Sequence, residues 1–167
     1  FVEMARKSAQ SSKSIIVISE AQRQKFCELF PDQADKVEQI TNGYNPDVFK
    51  VIPVDRSEVL ASLTAQNTAD GKIPTDYDKV VTFVGKFADF KGIDVALDAA
   101  KKYEEEASKE GVKVATIIVG SGALEQQLKA QAEDLNLQHT YFVGRQNHDV
   151  IRRIQNASDV SLVPSRE

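Results

Sequence analysis

Hydrophobic positions along this chain follow two periods. Continuous apolar runs, each stopping at a small residue or proline, occupy 14–19 (SIIVIS), 80–86 (VVTFVGK), 115–122 (ATIIVGSG), 140–145 (TYFVGR) and 160–165 (VSLVPS). They are rich in Val and Ile and do not alternate with polar residues, as expected of strands buried on both faces. Between them apolar residues recur three and four apart: Ile93, Ala96, Leu97 and Ala100, then Leu124, Leu128, Ala132 and Leu135, then Val150, Ile151, Ile154 and Ala157. Each set makes one apolar stripe on a charged helix. Strand and helix in regular alternation predict right-handed crossovers, a parallel sheet and helices on both of its faces. The expected class is α/β, doubly wound.

Between 35 and 75 the pattern changes. Residues 36–41 (KVEQIT) read as one more strand, running into Asn42-Gly43-Tyr44-Asn45-Pro46, a cluster of turn formers that marks a turn or a domain hinge. Residues 55–66 read as a helix with Val59, Leu60 and Leu63 on one face, and 67–78 as a polar, exposed connection. This places a crossing at 42–53, with 1–41 as the tail of a preceding domain and 54–167 as most of a second. The chain opens on a helix-like 1–13 without an initiator Met and stops directly after an apolar run, so it is expected to be a piece of a larger protein.

Composition narrows the function classes. Lys+Arg 21 against Asp+Glu 25 in 167 residues gives a net charge of −4 with no basic run, which argues against a nucleic-acid surface. No apolar stretch approaches the roughly 20 residues of a transmembrane helix. One cysteine, Cys27, forms neither an internal disulfide nor a Cys-based zinc site, and only His139 and His148 remain as imidazole ligands, so no metal and a cytoplasmic setting are expected. Cys27, among Phe26, Leu29 and Phe30, reads as a small core residue; His139 and His148 read as surface groups and Glu104-Glu105-Glu106 as a solvated helix face.

In open parallel sheets ligands bind beyond the carboxyl ends of the strands. The residues there are Gly85-Lys86, Gly120-Ser121-Gly122, Gly144-Arg145 and Pro164-Ser165-Arg166. Glycine lets backbone approach a ligand, and free N–H groups at the following helix starts favour negative charge, so this rim suits phosphate. Lys86 and Lys91 flank the loop GKFADFKG, with Lys91 expected to open the next helix. Each glycine also has a purely structural reading, because a chain leaving a buried strand turns tightly, and Arg145 alone reads as a solvated charge. GSGALE at 120–125 resembles part of a dinucleotide fingerprint but lacks its third glycine, which weakens the alternative of a nicotinamide-binding domain.

The order of segments VISEAQRQKF, VEQITNGYNPDVF, VVTFVGKFADFKGIDVALDAA, IIVGSGALEQQLKAQAEDL and YFVGRQNHDVIRRIQNASDVSLVPSR resembles the retaining, nucleotide-sugar-dependent glycosyltransferases of GT-B fold, family 4, the group of glycogen and sucrose synthase-like enzymes. The resemblance implies two Rossmann-like domains around a cleft, with 1–41 the last strand and helix of the N-terminal domain and 54–167 a partial C-terminal domain that holds the donor. It implies that Lys86 and Lys91, beside Gly85, bind the donor diphosphate; Lys at the first of these stands where the family more often has Arg, which loses the planar fork. It places Gly120, Ser121 and Gly122 on the donor-site loop, Gly144, Arg145 and Gln146 against the base, and Ser165 in a proline-serine motif that precedes an acidic pair. By spacing the first acid falls just past Glu167, which is itself a spacer, so no catalytic set is complete in this chain. The implied substrates are a nucleotide sugar and a sugar or glycan acceptor held by the other domain, with no cofactor and no metal. A non-catalytic assembly module of the same fold remains the alternative.

Overall fold

The computed structural model describes residues 2–166; Glu167, with the spacer role expected of it, lies outside the described residues. The chain divides after Asn45 into two compact units. In the first, α1 (Val2–Ser11), β1 (Ile15–Val17), α2 (Glu20–Leu29), a 3-10 turn over Pro31–Lys36 and β2 (Val37–Gln39) follow in order, and β1 pairs with β2 in parallel. The Ser19 hydroxyl accepts the Gln22 N–H at 3.2 Å and starts α2. Phe30 takes the interior place, with the Arg6 guanidinium 5.0 Å from its ring and reaching Asp32 at 3.3 Å. Cys27 is only half-buried, a correction to the core position expected of it.

The second unit contains α3 (Arg56–Ala61), β3 (Lys79–Val84), a 3-10 turn (Asp89–Lys91), α4 (Ile93–Lys109), β4 (Val114–Val119), α5 (Glu125–Asp134), β5 (Thr140–Phe142), α6 (His148–Ala157) and β6 (Val160–Leu162). The four strands form one parallel sheet in the order β5-β4-β3-β6. Successive side chains point to opposite faces. Ile117 and Val119 therefore pack with Val59, Leu60, Ile154 and Ala157 from α3 and α6, whereas Phe83, Ile118 and Phe142 pack with Ile93, Leu97, Leu128 and Ala132 from α4 and α5. This is the doubly wound Rossmann-like arrangement that the alternation predicts. Buried threonines fit because their hydroxyls are satisfied: Thr82 donates to the Ile117 carbonyl at 3.1 Å, and Thr116 lies 2.5 Å from the Tyr103 hydroxyl, which burial pushes up to a pKa of about 12.

Three expectations need correcting. The helix over 55–66 stops at Ala61, and Leu63 and Ala65 reach the core on irregular backbone held by the Gly71 carbonyl. The connection 67–78 is not wholly exposed, since Ile73 and Tyr77 are core residues. His139 is half-buried rather than a surface group: its Nδ1 lies 3.0 Å from the Tyr77 hydroxyl, which is 2.5 Å from that of Tyr141. His148 is exposed as expected, behind Asn147, whose side chain caps α6 by accepting the Val150 N–H at 2.9 Å.

Glu104 also leaves the solvated face assigned to it. It is half-buried, and its carboxylate accepts from the Thr140 hydroxyl at 3.0 Å and the Gln138 N–H at 3.3 Å, joining α4 to the start of β5. Burial raises its pKa above the ordinary glutamate value, and those hydrogen bonds offset this only in part. A folded state that holds the proton more tightly than the unfolded chain loses stability as pH rises through the raised pKa. Urea unfolding of wild type and Glu104→Gln from pH 4 to pH 7 is expected to show the stability of wild type relative to the variant falling with pH; a constant difference would refute the raised pKa.

Candidate functional site

Pairing within the sheet continues past the carboxyl ends of the strands. The Gly85 N–H donates to the Val119 carbonyl at 3.0 Å, the Phe87 N–H to Ser121 at 2.9 Å and the Gly120 N–H to Gly144 at 2.9 Å. The glycine amides at 85 and 120 are thus spent on neighbouring chain. What these glycines supply is closeness. At Gly120 φ is +144°, and a Cβ there would collide with the Gly85 carbonyl oxygen and meet the Phe87 ring at 3.0 Å. Phe87 is buried beneath these loops, edge-on to Phe142 with ring centroids 6.1 Å apart.

Above that floor opens a cavity of about 460 Å³. Gly85 and Lys86 after β3, Gly120, Ser121 and Gly122 after β4, and Arg145 and Gln146 after β5 all line it. Val84, Val119 and Ile151 supply apolar wall. Ile151 was legible only as part of the core stripe of α6, and its position on the cavity depends on how α6 crosses the sheet. Among the described residues no carboxylate lines the cavity, and neither Lys86 nor Arg145 makes an ion pair. Both side chains are exposed at its mouth. A concave site with two unpaired cations, a glycine-rich loop leading into α5 and apolar walls suits an anionic ligand with a flat or apolar part.

Other expected residues stand apart from this cavity. Gly144 is buried behind it against the Gln66 side chain, and Ser165 is exposed beyond β6. Lys91 does not open α4, as expected from sequence, but closes the preceding 3-10 turn, with its ammonium 5.4 Å from the Phe90 ring centroid. Gly92, at φ +63°, makes the step into α4, and a Cβ there would strike the Pro164 carbonyl. Arg166, counted among the rim cations, pairs instead with Asp94 and Asp89. Among the described residues no group of three or more His, Cys, Asp or Glu is placed to share a metal ion.

Comparison with known proteins places this geometry. A family profile described as glycosyl transferases group 1 matches residues 66–167. An uncharacterized glycosyltransferase of Methanocaldococcus jannaschii is 27% identical over 161 residues, covering 95% of this chain and 38% of its own. Solved structures share the fold: a glycosyltransferase from Rickettsia africae superposes with a TM-score of 0.68 at 18% identity, covering 92% of this chain and 38% of that one. WaaG, a glycosyltransferase of lipopolysaccharide biosynthesis, gives 0.67 at 18% identity, covering 90% and 37%. The E. coli protein of trehalose-6-phosphate bound with UDP-2-fluoro glucose gives 0.63 at 13%, covering 91% and 40%. The chain thus spans about two fifths of the length of these relatives.

The contact at Gly120 is testable without a ligand. Gly120→Ala is expected to cost at least about 2 kcal/mol of unfolding free energy, from backbone strain and collision with Gly85 together. Gly43, which has open space around its Cβ position, is the control, and Gly43→Ala is expected to stay within about 0.5 kcal/mol. Equal urea midpoints for the two variants would show that the loops move apart at little cost.

Proposed function

The chain belongs to the glycosyl transferases group 1 family, and from that premise we propose that it is the donor-binding part of an enzyme moving a hexosyl group from a nucleotide-diphosphate sugar to a sugar or glycan hydroxyl. The observation that carries this reading is the cavity over β3, β4 and β5, lined by Lys86 and Arg145 and by no carboxylate. A structural neighbour of the same fold holds UDP-2-fluoro glucose, which is consistent with a ligand of this class. The glycine loop 120–122 takes the sugar and phosphate side, and Arg145 and Gln146, on the loop that Gly144 turns, take the base, with Gln146 steadied by donating to the Val143 carbonyl at 2.7 Å.

In the transfer the bond from the sugar C1 to the β-phosphate oxygen breaks, and the electron pair leaves with the nucleoside diphosphate. The sugar becomes oxocarbenium-like, C1 then bonds the acceptor oxygen, and the acceptor hydroxyl's proton passes to the departing β-phosphate oxygen. Negative charge grows on the leaving phosphate, and fixed positive charge beside it lowers the barrier. We assign that role to Lys86 and Lys91 with the peptide dipoles behind them, without a metal or cofactor, and Ser165 to the donor-sugar side. The five ordered segments support a retaining, family 4, glycogen synthase-like enzyme of the cytoplasm. Among the described residues no helix is long and apolar enough to cross a membrane.

Calorimetric titration of the chain with UDP, ADP and GDP, beside uridine, adenosine and guanosine, is expected to give binding of one diphosphate and little of its nucleoside. Lys86→Ala and Lys91→Ala are each expected to weaken the diphosphate by about tenfold and the nucleoside hardly at all, the scale of one cation beside a phosphate. Equal losses for both ligands would overturn the phosphate assignment.

A further inference from the structure

The strand order β5-β4-β3-β6 makes the boundary between β3 and β6 the point where the winding of the sheet reverses. The loops leaving these two strands are joined there by one side chain. Arg166, after β6, donates through Nη1 to the Asp89 carbonyl and through Nη2 to the Asp94 carboxylate, with the Asp89 carboxylate 3.6 Å from Nη1. Its backbone N–H donates to the Phe90 carbonyl at 2.8 Å, and the Pro164 carbonyl sits where a side chain at Gly92 would be. Asp89 and Phe90 are therefore bonded to the β6 loop and Gly92 packs against it, with Lys91 between them.

The charges matter as much as the ties. Asp94 lies in the first turn of α4, where the helix dipole favours a carboxylate. The same carboxylate, with Asp89 before it, would repel a diphosphate brought to Lys91 or take the Lys91 ammonium for itself. Arg166 pairs closely with Asp94 and holds its carboxyl below the usual range, and lies 3.6 Å from the exposed Asp89 carboxylate. Lys91, half-buried, makes no ion pair among the described residues, and its ammonium lies 5.4 Å from the Phe90 ring centroid.

We propose that Arg166 is a positioning residue for the donor diphosphate: by neutralising Asp94 and Asp89 and clamping their turn to the β6 loop, it keeps Lys91 free to meet the phosphate. This rests on the donor reading above and adds a residue that acts through Lys91. It requires the two partners of the clamp to behave oppositely. Loss of Arg166 uncovers negative charge and weakens the anion, whereas loss of charge at Asp94 removes a repulsion.

The test is titration of the 167-residue chain with the nucleoside diphosphate it binds and the matching nucleoside, at low and high salt. Arg166→Gln is expected to weaken the diphosphate about 5- to 10-fold at low salt, the Coulomb scale of an uncovered charge at this range, and less at high salt. Nucleoside binding is expected to stay the same. Asp94→Asn is expected to bind the diphosphate as tightly as wild type or more tightly, and Arg166→Gln with Asp94→Asn to return to within about twofold of wild type. Circular dichroism and thermal midpoints report whether each variant keeps its fold. If Asp94→Asn weakens binding as Arg166→Gln does, Arg166 is only a staple and the proposal falls. If Lys91→Ala weakens the diphosphate while Arg166→Gln does not, the proposal falls and the donor reading stands. If wild type binds none of the three diphosphates, the donor reading falls and takes this one with it.

Discussion

The site depends on three parallel chains staying paired after they stop being strands. β3, β4 and β5 end at Val84, Val119 and Phe142, yet hydrogen bonds run on from Gly85 to Val119, from Phe87 to Ser121 and from Gly120 to Gly144. Loops that leave a sheet usually diverge and lose their definition. Here they stay together for two or three further residues, and the cost is a position where no side chain fits, Gly120 against the Gly85 carbonyl. The buried Phe87 ring supports them from below, so the cavity floor is continuous with the hydrophobic core and shares its rigidity.

Charge is partitioned between the two ends of the sheet. At the amino end acidic groups are held by partners: Asp159 accepts the Val80 N–H at 2.8 Å and pairs with Arg56 at 2.8 Å and Lys79 at 3.3 Å, Asp76 pairs with Lys113, and Glu104 is bonded to Thr140. At the carboxyl end the cavity meets Lys86 and Arg145 with no acid in its lining. A chain with a net charge of −4 therefore presents a local positive site, and the overall charge says little about the ligand. Acids in the first turns of the helices that start at that end each have a partner: Asp94 with Arg166, Glu125 with Lys129 and Asp149 with Arg152.

How far the sequence was legible follows from which interactions are local. Strands buried on both faces announce themselves as unbroken Val and Ile runs, and helix stripes as three- and four-residue spacing, so the order of elements and the doubly wound class could be read directly. Strand ends could not, because a run such as TYFVGR stays apolar past Phe142 when the loop beyond it is also buried. The inward turn of Glu104, His139 and Tyr77 is hidden for a related reason: these polar side chains meet partners 36, 62 and 64 positions away, and no window of sequence contains both members. Arg166 reads from sequence as a rim cation because its two acids lie 77 and 72 positions earlier in the chain.

The topology explains why the cavity gathers rim residues that follow β3, β4 and β5 but not those that follow β6. The crossover from β5 to β6 carries α6 from one edge of the sheet to the other, across the face that α3 also covers. α6 starts at the carboxyl end, immediately after Arg145 and Gln146, so its first turns bring Ile151 to the wall facing Val84 and Val119. The same crossover delivers β6 beside β3 and so puts Arg166 next to Asp94. One connection thus sets both the apolar wall of the cavity and the acid-covering clamp beside it. A change in the length of α6 would move the two together, whereas substitutions within the loops 85–91 or 120–122 would alter the cavity and leave the crossover in place.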